Sequence, residues 1–95
     1  MREKTIEQAL VKAVKAYGGI ALKLVSPGFA GMPDRLVLIP GGKIGFVEVK
    51  APEQKPRALQ ISRHEQLRQL GFKVYVLNNP QQITEIIKDI GGESK

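Results

Sequence analysis

Apolar and polar positions alternate along this chain in two distinct rhythms. Ile6, Ala9, Leu10, Ala13, Val14 and Tyr17 recur every three to four residues, which predicts an opening helix with one buried stripe. Thr5 with Gln8 reads as the capping box that starts it, and Gly18-Gly19 as its stop. Ile20 to Val25 then reads as a strand, with Lys23 placing it near a sheet edge. Ser26 to Pro33 is rich in glycine and proline and reads as a loop shaped by backbone geometry rather than packing. Arg35-Leu36-Val37-Leu38-Ile39 is almost wholly apolar, as expected of a central strand covered on both faces. Pro40-Gly41-Gly42 turns the chain back into a third strand, Ile44 to Val49, so the first three strands form an antiparallel meander.

After Ala51-Pro52 and a polar loop, the spacing predicts a helix from about Arg57 to Leu70, with Leu59, Leu67 and Leu70 as its apolar stripe and Gly71 beyond its end. Phe72 to Leu77 is a fourth strand. Asn79-Pro80 with Gln82 caps a last helix whose face is Ile83, Ile86, Ile87 and Ile90. The order α-β-β-β-α-β-α gives an α/β (α+β) class, a mixed four-stranded sheet flanked by helices. We expect a single domain over residues 1–90, followed by a flexible tail at 91–95.

Composition narrows the chemistry. A fold of 95 residues hides about 60–65% of the surface its unfolded chain exposes, so its core is thin and a homodimer is a natural supplement. The net charge of +6 and pI near 9.8 favour a polyanionic partner, nucleic acid first. No cysteine is present, which excludes disulfides, thiol catalysis and cysteine-based zinc sites. The chain carries neither a long apolar run nor a signal-peptide pattern, so we expect an intracellular, cytoplasmic protein without a membrane partner.

The informative chemistry lies at Gly31-Met32-Pro33-Asp34 and Phe46-Val47-Glu48-Val49-Lys50, with thirteen residues separating Asp34 from Glu48. Charges set in apolar strands are costly to bury without compensation. Strand alternation puts Glu48 and Lys50 on one face while Val47 and Val49 point to the other. If the second and third strands pair, Asp34 and Glu48 reach one ion, with the Val49 backbone carbonyl as a further ligand. Magnesium favours such a sparse oxygen set, completed by water and substrate phosphate. Lys50 beside it suits orientation of water or stabilisation of charge on a phosphate, so the set points to phosphodiester hydrolysis. An acidic-x-Lys triplet alone means little: chance predicts about one here, and the chain has three. Glu53/Lys55 and Glu93/Lys95 lie in polar loop and tail; only Glu48/Lys50 lies in an apolar strand after a Gly-x-Pro-Asp loop.

Taken with Ala51-Pro52, Leu59-Gln60 and Leu70-Gly71, these motifs resemble the virus-type replication-repair nuclease (VRR-NUC) family, a branch of the PD-(D/E)xK nucleases, over the span from the first helix to Val76. The resemblance implies a restriction-endonuclease-like core that cuts DNA with magnesium or manganese. It assigns Asp34 and Glu48 as metal ligands, Lys50 as the catalytic lysine and Gln60 as the motif glutamine that positions water or ion. It also implies an acidic residue on the first helix, for which Glu7 is preferred to Glu3. Branched DNA, a four-way junction or flap, is the expected substrate of a homodimer.

Other residues carry weaker signals. His64, between Arg63 and Glu65, reads as solvated. Tyr17 and Tyr75 read as packing residues, and Phe29 as the aromatic at the mouth of the proposed site. Lys12, Lys15, Arg35, Lys43, Lys55, Arg57, Arg63 and Arg68 are candidate phosphate contacts. The alternative reading is a non-catalytic nucleic-acid-binding module, or a subunit of a larger replication or repair complex. Intact Asp34, Glu48 and Lys50 weigh against it, because a phosphate binder has no use for acids in its cleft.

Overall fold

A computed structural model describes residues 1–92; residues 93–95, and with them most of the expected tail, lie outside the described residues. The elements are α1 (Glu3–Ala16), β1 (Ile20–Lys23), β2 (Arg35–Ile39), β3 (Lys43–Val49), α2 (Ala58–Gln69), β4 (Lys73–Leu77), a 3-10 turn (Pro80–Gln82) and α3 (Ile83–Ile90). The strands lie in the order β1-β2-β3-β4. The first three form the expected antiparallel meander, and β4 joins β3 in parallel after the α2 crossover. The sequence order and the mixed sheet are as expected.

Helices α1 and α3 cover one face. Ile6, Leu10 and Val14 are fully buried and meet Ala21, Val37, Val47 and Val49, while Ile83, Ile86, Ile87 and Ile90 close the same core. The approach of α3 is close enough to require glycine at position 45, where a Cβ would stand 2.5 Å from Ile90. Because side chains alternate, Glu48 emerges on the opposite face from Val47 and Val49. Helix α2 packs on that face, where Gln60 and His64 reach Glu48.

Three local expectations need correction. Helix α1 starts two residues before Thr5, with Arg2 as its extended N-cap, Ile6 N–H bonding to the Arg2 carbonyl and the acid Glu3 in the first turn, so Thr5 and Gln8 form no cap. Strand β2 is not covered on both faces: Val37 is buried, but Leu36 and Leu38 are only half-buried because α2 does not reach over them. The inward face of α2 is Gln60, His64 and Leu67, whereas Leu59 and Leu70 are exposed. The sheet beneath α2 carries a carboxylate, which polar side chains can satisfy and leucines cannot. At the other cap the expectation matches the structure, with Asn79 Oδ1 accepting from the Gln81 N–H and Pro80 opening the turn.

Candidate active site

Antiparallel pairing sets the start of β2 beside the end of β3, with Arg35 opposite Val47. Asp34, one residue earlier, therefore arrives next to Glu48. Its Oδ2 accepts the Val49 N–H at 2.7 Å, which fixes the carboxylate. The loop that delivers it is tied down at both ends. Leu24 N–H bonds to the Asp34 carbonyl at 2.8 Å, and Gly31, at φ +90°, lies so close to α2 that a Cβ would meet Leu59 Cγ at 2.8 Å.

Glu48 is 1% exposed and surrounded by partners. Gln60 Nε2 donates to its Oε2 at 2.9 Å, and Lys50 Nζ lies 3.8 Å from the same oxygen. His64 Nε2 stands 3.3 Å from Oε1. Gln60 is held at its other end too: its Oε1 accepts the N–H of Arg57, the residue that caps α2, at 2.8 Å. Its amide therefore has one orientation. Among the described residues no buried polar side-chain atom lacks a partner.

The electrostatics follow from crowding. Burial first, then the charge of Asp34 and a hydrogen bond with it, push the Glu48 carboxyl up to about 8, despite the opposing Lys50 ammonium. A second acid close beside a buried carboxyl makes its charged form costly. Burial and the nearby cations Arg68 and Lys50 push the His64 imidazole down from its ordinary value. A neutral His64 can donate its Nε2–H to Glu48. A divalent cation would offset the negative charge gathered there, so the donor set fits one. Among the described residues no three His, Cys, Asp or Glu side chains converge on a point. The protein thus offers two carboxylates, leaving positions for a main-chain carbonyl, water and substrate, which is the coordination magnesium prefers.

Asp34, Glu48, Lys50 and Gln60 are brought together; Glu7 is not part of that cluster. Its Oε2 pairs with Arg35 Nε at 2.8 Å, and Arg35 Nη1 also donates to the Ala21 carbonyl at 3.0 Å, which ties α1 to the sheet. The first-helix acid whose charge does bear on Glu48 is Glu3. His64, expected to be solvated, is instead 2% exposed and turned inward. Its spacing of four from Gln60 and three to Leu67 was the available signal, because those three share one helix face. Of the candidate phosphate contacts, Arg35 is occupied by Glu7, and Arg68 donates to the Val74 carbonyl at 2.9 Å. Arg63 stacks on Phe29. A groove of about 540 Å³ between α2, β4 and α3, lined by Arg68, Tyr75, Gln82 and Asp89 among others, contains neither acid of the pair.

The chain is similar to known proteins in sequence and in fold. No protein-family model matches the chain. A protein named "Putative nuclease p44" from Acyrthosiphon pisum secondary endosymbiont phage 1 is 51% identical over 87 residues, which cover 92% of each chain. A solved structure described as a VRR_NUC domain superposes with a TM-score of 0.85 at 36% identity, covering 90% of this chain and 94% of that one.

Proposed function

The chain belongs to the VRR-NUC family of nucleases, and from that membership we propose that it is a metal-dependent DNA endonuclease, structure-selective on branched DNA and acting as a homodimer. The observation that carries this reading is the paired acids: Asp34 stands beside the buried Glu48, its Oδ2 held by the Val49 N–H, with the Lys50 ammonium 3.8 Å from Glu48.

Asp34, Glu48 and the Val49 carbonyl would hold magnesium or manganese. When bound, the ion supplies Lewis acidity to the scissile phosphate and eases deprotonation of water. The residues of the chain do the remaining tasks. The Val49 N–H aims Asp34, while Gln60 and His64 aim Glu48, so the ligands do not have to reorganise on binding. Lys50 offsets the negative charge that builds on the phosphate oxygens and orients the attacking water. Glu7 serves a different purpose, holding Arg35 and so fixing α1 against the strand that follows Asp34. The charge of Glu3 adds to the negative potential felt by Glu48.

Dimerisation is supported by the outer face of the meander. Ile20, Leu38 and Ile44 lie in one register row and Leu22, Leu36 and Phe46 in the next. Ile20 is 56%, Leu22 44% and Ile44 40% exposed, an apolar stretch that α2 leaves uncovered. A twofold pair formed there would present two sites to two strands of one junction. No helix among the described residues is long and apolar enough to cross a membrane, and the phage origin of the 51% identical relative supports action inside a host cell.

The test is cleavage of linear, flapped and four-way DNA by purified protein, with magnesium, with manganese and with chelator. We expect chelator and Asp34→Asn each to abolish cutting while salt-sensitive DNA affinity persists. Cutting at the wild-type rate by Asp34→Asn, or in chelator, would overturn the mechanism. Binding without cutting by the wild-type chain under every metal condition would favour the non-catalytic module.

A further inference from the structure

We propose that Phe29, backed by Arg63, is a stacking platform for one unpaired nucleobase on the loop that carries Asp34. The proposal rests on DNA being the substrate, as set out above.

A single exposed phenylalanine needs no explanation by itself. This one is distinguished by how firmly it is held. The guanidinium of Arg63 lies over one face of the ring, 3.8 Å from its centroid. Arg63 is itself fixed, with Nε donating to the Ala30 carbonyl at 2.8 Å and Nη1 to Gln66 Oε1 at 3.4 Å. A turn bond from Phe29 N–H to the Ser26 carbonyl, the close seat of Gly31 on α2 and the buried Pro33 stiffen the loop on either side. Even so, the ring remains 41% exposed. A tethered aromatic with a cation over its ring and much of its surface in solvent matches what bases stack on.

Position supports the same reading. Phe29 stands five residues before Asp34 in one tethered loop, and Arg63 directly precedes His64, which touches Glu48. A base resting on the ring would sit on the loop that delivers Asp34 and against the helix that carries Gln60 and His64. Stacking ignores base identity, because every base offers a π face, but it does require that the base be free of its own stack. The platform therefore selects structure: single strands, flaps and junction crossovers over continuous duplex. It gives a 95-residue chain a means of discrimination without a separate base-reading module.

The chain has no tryptophan, so Phe29→Trp creates a single indole probe. Binding is measured in chelator by anisotropy of labelled single-stranded and blunt duplex DNA, alongside indole fluorescence. We expect Phe29→Ala to weaken single-strand binding about tenfold while duplex affinity stays within about twofold. Phe29→Trp should retain single-strand affinity, with its emission quenched by single strands and not by duplex. Circular dichroism melts of both variants should match the wild type, because the ring is outside the core. Unchanged single-strand affinity in Phe29→Ala, or equal quenching by duplex, would overturn the platform while leaving salt-dependent binding, and so the DNA reading, intact. Failure of the wild-type chain to bind either form at low salt would bring down both.

Discussion

Glu48 is the carboxylate that Gln60, His64 and Lys50 all approach, and its protonation makes the proposed role measurable. A carboxyl whose folded value is raised to about 8 holds a proton that the unfolded chain gives up near 4.5. Folding is therefore favoured at low pH, and that contribution is lost as pH rises through 8. His64 acts in the opposite sense, since its lowered value makes the folded state resist protonation below the ordinary 6.5. The two effects oppose each other at mildly acidic pH, and only Glu48 changes between about pH 6.5 and 8. Over that window the melting temperature in chelator should fall with rising pH, and saturating magnesium should restore it. Glu48→Gln, which carries no charge to bury, should flatten the profile, melt higher than wild type at pH 8 in chelator and cut no DNA. A wild-type melting temperature that is flat from pH 6.5 to 8 would mean the acids are not crowded. Asp34, Glu48 and Lys50 were legible in the sequence because charge inside apolar strands is conspicuous. The inward turn of His64 was not, because its immediate neighbours are charged and only helix phase decides which way it faces.

At the scale of elements, α2 departs most from a simple amphipathic helix. Two of its three buried side chains, Gln60 and His64, are polar, and both end on one carboxylate. Periodicity of apolar residues could place the helix ends within one residue yet choose the wrong face, since Leu59 and Leu70 are the exposed ones. The strands were easier to read: the meander needs only a glycine turn and alternating faces, and β4 follows from the crossover. We expect His64→Ala to lower the cleavage rate about 10- to 100-fold with little change in DNA affinity, and to weaken manganese binding followed by titration calorimetry in the absence of DNA. His64→Gln, which keeps a donor, should recover part of both. Equal loss in the two variants would show that the ring fills space and does not position Glu48.

For the whole molecule, the balance of charge and apolar surface decides how copies meet. A chain of net charge +6 repels its own kind, so any self-association needs a patch free of lysine and arginine. The rows Ile20-Leu38-Ile44 and Leu22-Leu36-Phe46 are such a patch, with Phe46 set edge-on to Phe72 at 5.7 Å beside it. Leu22→Glu should convert a dimer to a monomer in sedimentation, keep the monomer folded and change paired incision of a four-way junction into single nicks. Wild-type protein that sediments as a monomer at micromolar concentration would remove the dimer from the proposal. Chain length alone foretells a thin core but not which face stays bare, because that depends on how far α2 extends over the sheet.

The hairpin between Asp34 and Glu48 has one further consequence, for how such a chain can change length. Its turn at Pro40-Gly41-Gly42 lies at the far end from the acids and can accept extra residues as a longer loop, leaving the pairing of Arg35 with Val47 as it is. An extra residue between Ile44 and Val47 is a different matter. Unless bulged out, it would swing the carboxylate through the sheet toward Val37 and Leu10 and bring a valine out in its place. Insertions should therefore be tolerated at the turn and rejected in the strand, though the two places are only a few positions apart.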